Sequence, residues 1–196
     1  MTYLCSVKGL KKIALLGLMI VCVGLKAQVK NQNITDLLSL LETDVTVDES
    51  KKRLLANGFI SKGAVGSKQE NLFGMVDSIP VILTLRKTHK KGKVWGYELL
   101  WNNAETGWVK KRAYIDQLAK SINVINKQNP SFLLKTLPQY CIGKEADCFA
   151  DGVAQYKYNW YFNNELVRIK EMDIKVTPTF QIAISITNSL MFAKLN

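Results

Sequence analysis

This chain of 196 residues has one histidine, four prolines and four cysteines, and beyond its first 27 residues it has no long run of apolar residues. Each scarcity excludes something. A single histidine leaves no pair of imidazoles for a zinc site, and a histidine-based triad would have to use His89. That residue sits among Arg86, Lys87, Lys90, Lys91 and Lys93, cations that disfavour its protonation, and no acid stands near it in sequence to orient it. We read it as an exposed loop residue. Four prolines and twelve glycines are too few for a collagen-like or low-complexity chain, and no heptad persists. Phosphate-binding glycine phrases are missing after every strand pattern, so no nucleotide cofactor is expected, nor any other cofactor.

What is present begins with an address. Lys8, Lys11 and Lys12 precede thirteen uncharged residues, Ile13 to Leu25, and polar chain follows from Lys26-Ala27-Gln28. A basic start, an apolar stretch and a small residue before a polar region describe a secretory signal peptide over 1–27, cut after Ala27. Leu25 departs from the small residue preferred three places before the cut. The apolar run is shorter than the roughly 20 residues that span a bilayer, so no transmembrane span is expected in the mature chain. Val21 before Cys22 argues against lipidation, which needs a smaller residue there. The protein is therefore expected to be exported, periplasmic or extracellular.

Export changes two readings. The formal charge of +11 falls to +7, because 23 basic residues then face 16 acidic ones. This moderate field weakly favours anionic partners, and nucleic acid is not expected at that charge and location. The cysteines left, Cys141 and Cys148, are six residues apart in between in a compartment where disulfides persist. A redox pair usually has two intervening residues and zinc needs two more ligands, so a structural disulfide is expected, with Glu145 and Asp147 near the tip of its loop.

Along the mature chain, 28–33 reads as loose and Ile34 to Glu42 as a short helix. Thr46 and Glu49 form a capping-box signature, and Asn57-Gly58 a stop, so 47–57 is expected to be helix. Strands are expected at 59–65, 71–76, 79–87 and 94–101, the last two a hairpin. Trp95, Tyr97, Leu99 and Trp101 alternate onto one face. Tyr114, Ile115, Leu118, Ile122 and Ile125 recur at helical spacing, predicting a helix over 109–126. Residues 131–152 read as an irregular, stapled connection. Strands follow at 154–162, 165–172 and 179–187, with Asn163-Asn164 as a tight turn and Phe180 pointing inward.

The order is helix then strands, twice. It predicts an α+β fold: helices on one face of an antiparallel sheet, or of two sheets side by side, with a domain over 46–196 and sub-units 46–104 and 105–190. The L-x-x-x-G-F phrase at Leu54, Gly58 and Phe59, the leading address and the later helix before aromatic strands resemble secreted bacterial α+β proteins of uncharacterised function. The pattern is also similar to tandem helix-on-meander units of the β-lactamase-inhibitor-like type. The resemblance implies a non-catalytic binding or scaffold module of the bacterial envelope, and carries no site residues over.

Three surface features compete as candidate sites. Six of the eight residues from Arg86 to Lys93 are basic, and Lys110, Lys111 and Arg112 open the long helix. Arg86, Lys87, Lys90, Lys91, Lys93, Lys111 and Arg112 are thus the candidates for binding an anionic surface such as lipid or lipopolysaccharide. Glu98 is an acid on an otherwise apolar strand. It is expected to pair with Arg86 or Lys87 across the hairpin rather than to serve a hydrolase built on strand-borne carboxylates. Glu145, Asp147 and Asp151 lack the ligand spacing of a calcium loop, so no metal site is expected. The partner expected is an envelope protein or an anionic surface.

Overall fold

The computed structural model describes residues 30–65, 69–88, 92–161 and 171–188. The expected signal peptide, His89, Lys90, Lys91 and the Asn163-Asn164 turn lie outside them. Nine strands form one mostly antiparallel sheet: β1 (Asn31–Gln32), β2 (Ile60–Val65), β3 (Gln69–Val76), β4 (Ile79–Lys87), β5 (Val94–Trp101), β6 (Phe132–Thr136), β7 (Gln155–Tyr161), β8 (Glu171–Val176) and β9 (Ile182–Thr187). The spatial order is β1-β3-β4-β5-β9-β8-β7-β6, and β2 also pairs with β3. The helices are α1 (Ile34–Leu40), α2 (Val47–Ala56), α3 (Trp108–Asn126) and α4 (Glu145–Ala150), with a 3₁₀ turn at Gln139–Cys141. The fold is α+β. Among the described residues no helix is long and apolar enough to cross a membrane.

Local chemistry sets the helix ends. The Asn33 side chain accepts from the Asp36 amide at 2.8 Å, and Thr46 Oγ1 accepts from the Glu49 amide at 3.2 Å. Gly58, at φ +90°, ends α2, and a Cβ there would lie 2.5 Å from Lys30 Cβ. A Cβ on Gly74 would lie 2.6 Å from the Phe59 ring, so Phe59 packs where a side chain is missing on β3. Asp77 and Ser78 both have positive φ, as a tight two-residue hairpin between β3 and β4 requires.

The register lines up whole rungs across the sheet. Leu72, Leu83, Leu99, Ile184, Ile174 and Tyr158 are successive partners on β3, β4, β5, β9, β8 and β7, and all are buried. They form the floor on which Leu37, Leu38, Leu54, Ile115, Leu118 and Ile122 of α1–α3 pack. The neighbouring rung turns the other way because side chains alternate along a strand. It runs Phe73, Ile82, Leu100, Ala183, Lys175 and Lys157 across the same six strands. The described helices pack on the first face, so among the described residues no helix covers the second, the open face, although Ala183 at its centre is fully buried.

Several expectations need correction. Asn31–Gln32 is not loose: it pairs parallel to Met75 and Val76. The stapled connection contains β6 and α4. The Glu171–Val176 strand runs past the expected end at 172. Phe180 is not in β9 but in the turn before it, at φ 55°. Trp95 leaves the face of Tyr97, Leu99 and Trp101, because Arg86 pairs with Gly96 but Lys87 with Val94, which makes Trp95 a bulge. Val94 takes the buried position instead.

Candidate functional site

The basic candidates do not form one patch. Arg86 Nη2 reaches Glu98 Oε2 at 2.6 Å, the cross-strand pair expected of Glu98, and its guanidinium lies 5.7 Å from the Trp95 ring centroid. Lys93 Nζ pairs with Asp44 at 2.9 Å. Lys87 is half-buried at the end of β4. Lys111 departs most from expectation: it is 1% exposed, so it cannot join an anion-binding surface. Its Nζ donates to the Asn103 carbonyl at 2.6 Å and lies 4.4 Å from the Phe180 ring centroid. Burial pushes this amine down to about 8. It faces inward because α3 begins at Trp108, which puts the fourth residue of the helix over the Asn103 loop and the Phe180 turn. Arg112 lines a cleft.

That cleft lies between the first half of α3 and the β6–β7 edge. Trp108, Arg112 and Asp116 follow at intervals of four, so they share one helix face. Tyr156 and Tyr158 alternate on β7 toward the same side, and Lys135 sits opposite Tyr156 in the β6–β7 ladder. Asp116 joins them. Its Oδ1 accepts from the Tyr156 hydroxyl at 2.6 Å, from Lys135 Nζ at 3.2 Å and from the Tyr158 hydroxyl. Lys135 Nζ also lies 5.2 Å and 4.9 Å from the two tyrosine ring centroids.

The electrostatics follow from that geometry. Burial pushes the Asp116 carboxyl up, but the two hydroxyls and Lys135 together outweigh it and hold the group below its ordinary range. Burial, reinforced by the carboxylate each hydroxyl serves, raises both tyrosines, Tyr158 to about 12. At neutral pH the cluster is thus an ionised carboxylate, with three donors on its Oδ1, and two protonated phenols. It has neither a poised base nor an activated nucleophile. It anchors α3 to the sheet.

The disulfide segment shapes the cleft from the other side. Cys141 and Cys148 are both buried and are joined, with Cα atoms 6.0 Å apart. Phe149, next to Cys148 on α4, packs tilted against Trp108 with ring centroids 5.2 Å apart, and Trp108 meets Tyr156 edge-on at 5.2 Å. Glu145 and Asp147 lie in the first turn of α4, and Glu145 accepts from the Gly143 amide. Among the described residues no group of three or more histidine, cysteine or acidic side chains could hold a metal ion.

Asp116 lies off the apolar stripe of the helix, and the sequence reading did not single it out as an anchor. A signal was there: Tyr156 and Tyr158 alternate onto one buried face, and two buried hydroxyls need an acceptor. Comparison with known protein families, with curated proteins and with solved structures finds no match to this chain. The site is therefore read from its own geometry.

Proposed function

We propose that this protein is an exported, non-catalytic binding module of a bacterial envelope, and that the open face of its sheet is the surface it presents to a partner protein. The observation that carries the reading is the continuous open rung. Its first part, Phe73, Ile82 and Leu100, is apolar and half-buried, and beyond the fully buried Ala183 it reaches the paired, half-buried Lys175 and Lys157. An apolar centre with a charged margin is how partner surfaces are commonly arranged. The engaged state of Asp116, and of Glu98 with Arg86, supports binding over hydrolysis.

A photo-crosslinking amino acid at Thr84 or Lys175 is expected to trap a discrete adduct in intact cells, while one at exposed Lys52 or Lys120 on the helix side traps none. An adduct only from the helix side would overturn the assignment. Mass spectrometry of the mature chain is expected to find Gln28 first; a chain still carrying residues 1–27 in the cytosol would remove the envelope from the proposal.

A further inference from the structure

The helix side of the molecule has an unassigned cavity. Two adjoining hollows share Trp108 and Arg112. One, of about 200 Å³, is completed by Lys135, Thr136, Leu137 and Tyr156. The other, of about 330 Å³, is completed by Val109, Ala113 and Asp116. Their walls are aromatic and aliphatic, and their charged groups are two cations, Arg112 and Lys135, and one carboxylate, Asp116. We propose that this cleft binds a small organic oxyanion: a carboxylate or phosphate monoester carried on a flat, apolar body of about one ring.

The charge of the ligand follows from what the cleft has in excess. Tyr156, Tyr158 and Lys135 all donate to Asp116 Oδ1, so Arg112 is tied to the carboxylate only loosely, through Oδ2. The Arg112 Nε is 3.9 Å from Asp116 Oδ2, beyond hydrogen-bond reach, and its side chain is 57% exposed. A guanidinium held at the mouth of an apolar cleft presents a planar fork that matches a carboxylate or phosphate. Lys135 spends one proton on Asp116 and has two more to donate. Two cations against one carboxylate leave the cleft net positive.

The same accounting excludes other ligands. A cation approaching Asp116 Oδ2 would meet the positive charges of Arg112 and Lys135 beside the same carboxylate. A neutral polyol would find both tyrosine protons committed to that carboxylate. The apolar body follows from Trp108, Leu137 and Tyr156, with Trp108 braced between Phe149 and Tyr156 so that its ring is a fixed wall. The size follows from the volume, which is at the low end for small-molecule sites. This cleft is across the sheet from the open face, so either proposal can fail without the other.

The test uses the whole mature chain with benzoate and phenyl phosphate as probes, benzamide as the neutral isostere of benzoate, and amide-resolved NMR as the readout. Both oxyanions are tried because their ratio distinguishes a carboxylate site from a phosphate site; tight binding of either supports the proposal. The expected result is binding below about 20 mM, a reasonable limit for a one-ring fragment, with shifts centred on Trp108, Arg112 and Thr136. Benzamide is expected to bind at least about tenfold more weakly, the loss of a charge-assisted pair. Arg112→Gln should weaken the oxyanion by a similar factor, and Lys120→Gln, on the same helix but away from the cleft, should not. Equal binding of benzoate and benzamide, no shift from either oxyanion, or undiminished binding in a folded Arg112→Gln would overturn the proposal.

Discussion

The two halves of the molecule repeat one order, a helix followed by four strands, and solve the same problem differently. The first runs α2, β2, β3, β4, β5 and the second α3, β6, β7, β8, β9. Their last strands, β5 and β9, pair antiparallel at the centre of the common sheet, so both first strands lie toward its outer edges. Each half buries tyrosine hydroxyls beneath its helix. In the first, Tyr97 donates to the Glu42 carbonyl at 2.7 Å, leaving Ser50 to donate to Tyr97 at 2.9 Å. Burial raises this phenol to about 12, and the anchor is made of uncharged groups. In the second, the acceptor is the ionised Asp116, drawing in Lys135, with Arg112 beside it. The second half also inserts residues 137–154 between its first two strands, and these carry the disulfide and Phe149. A neutral anchor can be packed shut. A charged one must stay near water and counter-ions, and the cleft is what that requirement leaves.

The largest expected effect breaks the charged anchor. Asp116→Ala leaves two buried hydroxyls without their acceptor and should cost about 2–3 kcal/mol, whereas Tyr97→Phe in the neutral anchor should cost about 1 kcal/mol. Urea unfolding compares them, and equal losses would show that charge does not distinguish the halves. The pH dependence sharpens this. The Asp116 carboxyl is held below its unfolded value, so its contribution is complete above the ordinary 3.8 and is lost as pH falls through the folded value. Asp116→Asn should flatten that acid limb.

Next in size is the insert. Replacing Cys141 and Cys148 by serine should cost about 2–3 kcal/mol by loop-closure entropy, and should blur the NMR signals of Trp108 and Phe149 while leaving those of Tyr97 sharp. Blurring in both halves would mean that the disulfide supports the whole fold rather than the cleft.

The smallest effect has the opposite sign. Lys111→Met removes an amine buried without a carboxylate and should stabilise the protein by about 1–2 kcal/mol at pH 7. The folded value, about 8, is below the ordinary 10.5, so between them the unfolded chain holds more protons. Wild-type stability should therefore rise from pH 8 toward 10.5, and the variant should lack that rise. A destabilised Lys111→Met would mean that the Asn103 contact outweighs the burial.

Much of the frame was legible because it is written locally. Thr46 and Gly58 bound α2, and alternation marks β4 and β5. Spacing, with the export expected from the leading residues, pointed to Cys141 with Cys148, and cross-strand neighbours pointed to Arg86 with Glu98. The failures share a cause. β1 is two residues whose only reason to be a strand is the edge of β3. β6 carries Phe132 and Leu133 between Pro130 and Pro138 and reads as loop until β7 lies beside it. Lys111 looked like a surface cation because its neighbours in sequence are Lys110 and Arg112, and nothing local reveals that its turn of α3 faces Asn103 and Phe180.

The amino-acid order alone thus determined the long helices, the central strands and the α+β class, since caps, periods and turn residues act within a few positions of themselves. Whether the two halves share a sheet, which face stays open, and how Asp116 meets two tyrosines from 40 and 42 positions away were decided only in three dimensions. Those contacts depend on which strand edges pair and which burials are satisfied, and both are properties of the packed whole.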